Sequence, residues 1–282
     1  MAKIYITGGS GFVGKQLSQL LLSKGHEVVI LSRAERESSE PNLSYLQYNP
    51  SKEISQTTFL NDCDVLIHLA GKNISDGLVW TKKIQNELLE SRTLFLEHLF
   101  NHSQKQNLNF HLISASGVAH YNDGPTGEFT ENSDTSKTEN YLAHVCREWE
   151  KAAFRFKDLN CPVSIVRTGI VFGNNSKAES AFKQLAKLPV WALPYKGKQE
   201  ISWIELNKLC EVYELLIKEK HVGIFNATNN TPKALKNLLA EYAGKSKPIL
   251  NIPASLLNLF LGKKSTLFFQ GGKVWPEALN NL

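Results

Sequence analysis

Short apolar segments alternate with amphipathic ones over the first 120 residues of the chain. The apolar segments are rich in β-branched residues, and continuous apolarity over about five positions is typical of a strand buried on both faces of a parallel sheet. We predict such strands at 3–7, 27–32, 43–48, 64–70 and 110–116.

Helical periodicity occupies the intervals between these strands. One periodic segment ends before Gly25, a residue type that commonly terminates helices, and a longer one covers 81–102. The apolar stripe of the first segment consists of Val13, Leu17, Leu20 and Leu21. Because alternating strands and helices imply right-handed crossovers, we predict an α/β fold with a doubly wound parallel sheet.

The pattern changes after residue 173. The segment PVSIVRTGIVFG (162–173) predicts a further strand that extends the sheet, whereas prolines and aromatic residues become frequent beyond it. We expect an N-terminal domain over 1–173, to which 201–226 return, and a smaller substrate lobe over 174–282. Trp191, Tyr195 and Trp203 either wall a cleft between the two or form the core of the lobe.

Composition narrows the class of protein. With 282 residues, of which 42% are hydrophobic, the chain can bury a large core. The net charge of +5 comes from basic residues scattered among acids, which favours a solvated surface or an anionic small ligand over a nucleic-acid interface. The four cysteines lack paired spacing, and neither a signal peptide nor a membrane span is visible. We expect a cytoplasmic protein without nucleic-acid or membrane partners.

The segment ITGGSGFVG (6–14) joins the first strand to the first helix and contains the spacing GxGxxG. Gly8 or Gly9 permits a tight turn, Gly11 allows the backbone to approach a pyrophosphate, and Gly14 allows helix and strand to pack closely. The helix N-terminus adds N–H donors and a partial positive charge. This loop predicts a dinucleotide site.

The end of the second strand favours NADP(H) over NAD(H). A site that prefers NAD has an acid there to accept the ribose 2′-OH. Here Ser32 and Arg33 occupy the strand end, and the first acid is Glu35. An arginine at this point can bind a 2′-phosphate, a contact worth about 1.5–3 kcal/mol.

ITGGSGFVG, DVLIHLAG, LISASGVAHY and RTGIVFG follow one another in an order that resembles the extended short-chain dehydrogenase/reductase superfamily. A narrower resemblance, to its "epimerase family protein" branch, spans nearly the whole chain. It rests on WTKKIQNELLESR (80–92), HVCREWEKAA (144–153), ISWIELNKL (201–209) and GGKVWPEAL (271–279). The resemblance implies a Rossmann-like domain, an NADP(H) site and a C-terminal substrate lobe.

The resemblance also implies which residues hold the cofactor. Those around the pyrophosphate are Thr7, Gly8, Gly9, Ser10, Gly11, Phe12 and Val13, with Ser32 and Arg33 at the adenosine phosphate. Those in the adenine and ribose groove are Leu69, Ala70 and Gly71, with Ser114 to Ser116 near the nicotinamide and Arg92 where relatives have an Asn near the cofactor. By analogy, parts of 81–102 and 141–157 form a homodimer interface.

The chain departs from the family pattern in two places. Glu205 and Asn207 stand where the family usually has a pair resembling His-x-Asp, and the chain ends at PEALNNL where relatives continue. We therefore expect the last packing element of the substrate lobe to be shorter or differently built.

Superfamily members that transfer hydride use Tyr-x-x-x-Lys on a helix, since a lysine one turn later lowers the tyrosine pKa. Here Tyr141 is followed four residues later by Val145, and the alternative register places Leu142 and Cys146 at the two positions. The pair is therefore absent. The serine that precedes it in the family is present as Ser116.

His120 and Tyr121 directly follow the Ser116 strand. We take Ser116 as the residue that orients the substrate oxygen and Tyr121 as the candidate proton donor, whereas Trp149 and Glu150 are expected to pack their helix onto the sheet. Two hypotheses stay open. The chain is an NADP(H)-dependent oxidoreductase or epimerase-like enzyme acting on a carbonyl or sugar-like molecule, or a cofactor-binding sensor or scaffold that has lost catalysis.

Overall fold

The computed structural model describes residues 1–121, 125–135, 140–269 and 271–282. The strands are β1 (Lys3–Thr7), β2 (Glu27–Ser32), β3 (Leu43–Gln47), β4 (Val65–His68), β5 (His111–Gly117), β6 (Glu128–Phe129), β7 (Val163–Thr168), β8 (Ile170–Phe172), β9 (Trp191–Leu193), β10 (Glu200–Ile201), β11 (Trp203–Glu205), β12 (Gly223–Ala227), β13 (Lys233–Ala234), β14 (Ile249–Asn251) and β15 (Lys273–Val274). The helices are α1 (Phe12–Ser23), α2 (Lys82–Gln106), α3 (Tyr141–Phe154), α4 (Lys177–Lys187), α5 (Leu206–Lys218), α6 (Leu235–Ala243), α7 (Ala254–Leu261), α8 (Thr266–Phe269) and α9 (Glu277–Asn280).

Seven strands form the central sheet in the order β12-β7-β5-β4-β1-β2-β3, and every neighbouring pair is parallel. The chain runs outward from β1 to β3 and then crosses back to β4 on the other side of β1. The strand order therefore reverses between β1 and β4, which is where open α/β sheets bind ligands. The predicted Rossmann-like, doubly wound sheet is confirmed.

Helices cover both faces of this sheet. On one face Phe95 of α2 and Trp149 of α3 pack on the strands, and on the other Leu17 of α1 and Tyr213 of α5 do so. Strands buried on both faces need apolar residues at successive positions rather than at alternate ones. This is why the first strands were visible as continuous apolar segments.

The predicted strand at 162–173 is wrong in one respect, because it is two strands with different partners. β7 lies in the central sheet, whereas β8 pairs with β11 outside it. The chain changes direction at Gly169, where an added Cβ would lie 2.7 Å from the Ser202 carbonyl oxygen. This break depends on the close approach of a distant segment, so the hydrophobic pattern of 162–173 does not indicate it.

The second periodic segment also differs from its predicted bounds. We expected it at 81–102, whereas α2 continues to Gln106. The helix ends where Asn107 adopts a left-handed conformation with φ of 53°, a conformation that asparagine tolerates better than most residues. The last turn of α2 is polar, so apolar periodicity could not mark it.

Residues after β8 form a second core and then return to the sheet. Trp191, which is 1% exposed, packs with Leu193, Leu238 and Leu239, whereas Tyr195 is 38% exposed. Trp203 stacks on Phe172 with the ring centroids 5.6 Å apart. β12 then forms one edge strand of the central sheet, and α5 packs on one of the sheet's faces. The division into two domains stays a prediction.

Across the described part of the chain, we find no helix that combines the length and the apolarity needed to cross a bilayer.

Candidate functional site

The glycine loop leaves β1 at the point where the strand order reverses. Gly8 has a φ of +71°, and its carbonyl accepts a hydrogen bond of 2.9 Å from the Gly11 N–H. An added Cβ at Gly14 would lie 2.4 Å from the Gly8 oxygen, and one at Gly9 would lie 2.8 Å from Ile30 Cγ1. The loop therefore needs glycine for both its turn and its packing.

The N-terminus of α1 opens from this loop. Gly11 is its N-cap residue and supplies no side-chain hydrogen bond, and the first turn carries no acid. The first N–H groups of a helix have no hydrogen-bond partner within the helix, so here they can donate hydrogen bonds to a ligand. Together with the tight glycine turn, this arrangement fits a pyrophosphate.

A hydrogen-bonded chain joins β1 to β4 beside the loop. The Ala70 N–H donates to Thr7 Oγ1 at 3.2 Å, and Thr7 Oγ1 lies 2.7 Å from His68 Nδ1. His68 Nε2 lies 3.0 Å from the Arg92 carbonyl oxygen, which can only accept, so Nε2 carries the proton and Nδ1 accepts from Thr7. Burial lowers the pKa of His68 to about 4, which keeps this link neutral.

Arg92 brings a positive charge to the end of β4. Its guanidinium donates to the carbonyls of Leu88 and Lys72 at 2.8 and 3.0 Å and lies 5.2 Å from the ring centroid of Trp149. An added Cβ at Gly71 would lie 3.0 Å from Arg92 Cζ. Burial lowers the pKa of Arg92, and no carboxylate among the described residues pairs with it. A cation in this position can bind an anionic group of a ligand.

A cavity of about 360 Å³ lies where β2 and β3 end, and its lining consists of Arg33, Gln47, Tyr48 and Asn49. Gln47 Nε2 donates to the Arg33 carbonyl at 3.3 Å. Burial raises the pKa of Tyr48 to about 12 although the charge of Arg33 opposes the rise, so the phenol stays neutral. Because a guanidinium, amides and a phenol line the cavity without a carboxylate, it fits a phosphate.

Most other residues predicted to bind the cofactor lie in β1, β2, β4 or β5 or in the segments that follow these strands. Ser10 and Gly11 are exposed, Phe12 and Val13 are half-buried, and Leu69 N–H donates to the Thr7 carbonyl at 3.2 Å. Ser32, at the end of β2, is buried. Ser114 is fully buried in β5 beside His68, and its hydroxyl donates to the Ala115 carbonyl.

Three polar residues lie side by side across β5, β7 and β12. Ser116 pairs in register with Arg167, which pairs in turn with Asn226. The Nε and Nη2 atoms of Arg167 donate to the two carboxylate oxygens of Glu150 on α3 at 2.9 and 2.7 Å. Glu150 and Arg167 are each 4% exposed, and in this bidentate pair their buried charges compensate each other.

Both hydroxyls predicted to act in catalysis join this pair. Ser116 Oγ donates to Glu150 Oε1 at 2.7 Å. The Tyr121 hydroxyl accepts from Arg167 Nη1 at 2.7 Å and donates to Asn226 Oδ1 at 2.7 Å. We refer to Ser116, Tyr121, Glu150, Arg167 and Asn226 as the buried polar cluster. The catalytic roles of Ser116 and Tyr121 stay predictions.

The charges of the cluster are fixed by its contacts. Burial alone would raise the pKa of Glu150, but the hydrogen bonds from Arg167 outweigh it and bring the pKa to about 2. Burial raises the pKa of Tyr121, and the Arg167 guanidinium partly opposes that rise. The Arg167 guanidinium can only donate, so His120 Nε2 accepts a hydrogen bond from Arg167 Nη2 at 3.0 Å. The cluster therefore holds one carboxylate, one guanidinium and a neutral tyrosine.

The place of the absent Tyr-Lys pair is filled differently. Tyr141 donates to the Gln85 carbonyl of α2, so its hydroxyl ties two helices together. Burial raises the pKa of Cys146 to about 11, so this thiol stays neutral. Neither residue supplies the charged partner that a lysine would supply.

The buried polar cluster was not predicted from the sequence, although one signal was present. Arg167 interrupts an apolar strand, and a charge within a buried strand requires a buried partner. Glu150 was expected only to pack α3 on the sheet. Gln47, Tyr48 and Asn49 were also missed, although the end of β3 lies beside Arg33 at the end of β2 in a parallel sheet.

The comparisons with known proteins agree with this fold. The model of the NAD dependent epimerase/dehydratase family matches residues 4–227. Epimerase family protein YfhF of Bacillus subtilis is 31% identical, with 97% of this chain and 90% of that protein covered. The chloroplastic SDR39U1 homolog of Arabidopsis thaliana is 30% identical, with 99% and 81% covered.

A solved structure extends the likeness to three dimensions. The crystal structure of human epimerase family protein SDR39U1 with NADPH has a TM-score of 0.77 and 23% identity, and 99% of this chain and 92% of that chain are covered. At this identity the comparison establishes a shared fold.

Proposed function

Since this chain belongs to the NAD dependent epimerase/dehydratase family, we propose that it binds NADP(H) and acts on a carbonyl or sugar-like small molecule. The observation that carries the choice of cofactor is the cavity at the ends of β2 and β3, where Arg33 meets no carboxylate. The complex of human SDR39U1 with NADPH supports the same choice. A 2′-phosphate supplies the anion that this cavity fits.

The remaining contacts follow from the crevice between β1 and β4. The α1 N-terminus with Gly9, Ser10 and Gly11 would hold the pyrophosphate, and Ala70 and Gly71 would border the ribose groove. Arg92 lies beside Gly71, where it would pair with an anionic part of the ligand. When bound, the nicotinamide supplies or accepts a hydride.

Ser116 and Tyr121 are the candidates for handling the substrate oxygen and its proton. The Ser116 hydroxyl donates its hydrogen bond to Glu150. Its oxygen can therefore accept a hydrogen bond from a substrate hydroxyl and orient that group. Tyr121 accepts from Arg167, a cation that can stabilise a phenolate as a lysine does in the Tyr-Lys pair. Both contacts support an enzyme that lacks that pair.

The same geometry supports a second candidate function, a sensor or scaffold that holds the cofactor without turning it over. The hydroxyls of Ser116 and Tyr121 already make hydrogen bonds inside the protein, and Tyr121 is only 2% exposed. A ligand would have to compete with these contacts or reach the hydroxyls through a rearrangement.

One experiment separates the two functions. Purified protein is loaded with NADPH and offered a panel of aldehydes, ketones and nucleotide sugars, with absorbance of the reduced nicotinamide as the readout. Substrate-dependent consumption that Tyr121→Phe abolishes and Tyr141→Phe retains supports the enzyme with the proposed proton donor. Cofactor that stays bound and reduced across the panel, together with unchanged nucleotide sugars after incubation with the NADP⁺-loaded protein, supports the sensor or scaffold.

A further inference from the structure

One side of α7 carries apolar side chains that face solvent. Leu256, Leu259 and Phe260 follow the spacing i, i+3, i+4, which places them on one stripe of the helix. Leu259 is 78% exposed and Phe260 is 67% exposed. A single exposed leucine is ordinary, whereas a continuous exposed stripe indicates a surface that contacts another apolar phase.

A second segment, distant in sequence, extends this stripe. Leu78 and Val79 are 86% and 41% exposed, and an added Cβ at Gly262 would lie 3.7 Å from Val79 Cγ1. Lys264 Nζ donates to the carbonyls of Ser75 and Gly77, which holds the loop before α2 against the end of α7. We refer to Leu78, Val79, Leu256, Leu259 and Phe260 as the apolar face.

Basic residues lie in the same two segments as the apolar face. Segments 74–83 and 254–266 contain Lys82, Lys83, Lys263 and Lys264, and their one acid is Asp76. Lys82, Lys83 and Lys263 are exposed, and no ion pair among the described residues involves any of the four lysines. These two segments therefore combine apolar side chains exposed to solvent with an excess of positive charge.

This charge pattern decides between the possible occupants. In a symmetric dimer through this face, a second copy would bring four further lysines against the first four, and like charges would oppose the contact. Apolar side chains that project from a helix, beside exposed lysines, match a lipid bilayer with anionic headgroups. Stable peripheral binding generally needs both signals, an inserted apolar group and a basic patch.

We propose that the apolar face docks this protein on the surface of an anionic lipid bilayer, with Leu259 and Phe260 inserted and the lysines at the headgroups. Such binding is peripheral and needs no spanning helix. The proposal revises the expectation from sequence that the protein has no membrane partner. It stands on the surface alone and does not depend on the proposed cofactor or reaction.

The test is co-sedimentation of the full chain with vesicles of phosphatidylcholine and phosphatidylglycerol, beside vesicles of phosphatidylcholine alone. The double variant Leu259→Asp with Phe260→Asp is compared with a matched control, Leu188→Asp with Val190→Asp, whose side chains are 48% and 46% exposed on another surface. All replaced side chains are exposed to solvent, and circular dichroism checks that each variant is folded.

We expect the wild type and the control to bind the anionic vesicles, and the Leu259/Phe260 variant to lose at least about tenfold in affinity. Binding should fall as salt rises to about 0.5 M, because the lysine contribution is screened. Three results would overturn the proposal: no sedimentation of the wild type with anionic vesicles, equal binding by the variant and the control, or a wild-type dimer that the variant alone dissociates.

Discussion

Glu150 and Arg167 are buried charges that compensate each other between α3 and β7. Removing one charge leaves the other unpaired, which costs about 3–5 kcal/mol in buried pairs. We therefore expect Glu150→Gln to lower the free energy of unfolding by about 3–5 kcal/mol, measured by urea denaturation. Glu148→Gln is the control on the same helix, and it should stay within about 0.5 kcal/mol of the wild type.

His68 makes stability depend on pH. Its pKa falls from 6.5 to about 4 on burial, so the unfolded chain binds a proton in a pH range where the folded chain does not. The stabilisation is therefore complete above pH 6.5 and is lost as the pH falls towards 4, by about 3 kcal/mol in total.

The measurement is the free energy of unfolding at a series of pH values between 7 and 4. His68→Asn should remove a large part of the acid-side slope, whereas the exposed His144→Asn should leave it unchanged. Some slope should remain in His68→Asn, because burial also lowers the pKa of His111 to about 4. An unaltered slope in His68→Asn would contradict the neutral hydrogen-bonded chain from Thr7 to Arg92.

The elements differ in how far sequence alone could define them. β1 and β2 were predicted with their observed bounds, since both faces of each strand are buried and the positions between the polar end residues are all apolar. β7 and β8 were not separated, because their division depends on the approach of Ser202 to Gly169. Register across three strands likewise assembles Ser116, Arg167 and Asn226, and no local pattern contains that information.

The packing of the loop between β1 and α1 leads to a prediction about NADPH binding. A methyl group at Gly14 would lie 2.4 Å from the Gly8 oxygen and 2.5 Å from Gly9 Cα, and neither backbone atom can move without opening the turn. Gly14→Ala should therefore weaken NADPH binding at least about tenfold by calorimetry, with Lys15→Ala as a control. Equal affinity in Gly14→Ala would show that the turn does not hold the pyrophosphate.

At the scale of the whole molecule, the candidate site lies at a place that the topology creates. The ends of β1, β2, β3 and β4 bring the glycine loop, Arg33 and Arg92 to one edge of the sheet. The order of elements in the sequence was sufficient to predict that edge together with the glycine loop and Arg33, but not Gln47, Tyr48 and Asn49 at the end of β3. It was not sufficient to predict the cavity beside Arg33 or the cluster behind Ser116, because both depend on how separate elements pack.

A calorimetric titration tests whether the crevice binds NADP(H) through Arg33. NADPH and NADH are titrated into the wild type, into Arg33→Ala and into Arg36→Ala, an exposed arginine outside the cavity lining. We expect the wild type and Arg36→Ala to bind NADPH at least about tenfold more tightly than NADH. Arg33→Ala should lose most of that preference while keeping its affinity for NADH. Equal affinities for the two nucleotides in the wild type, or no binding of either, would contradict an NADP(H) site at Arg33.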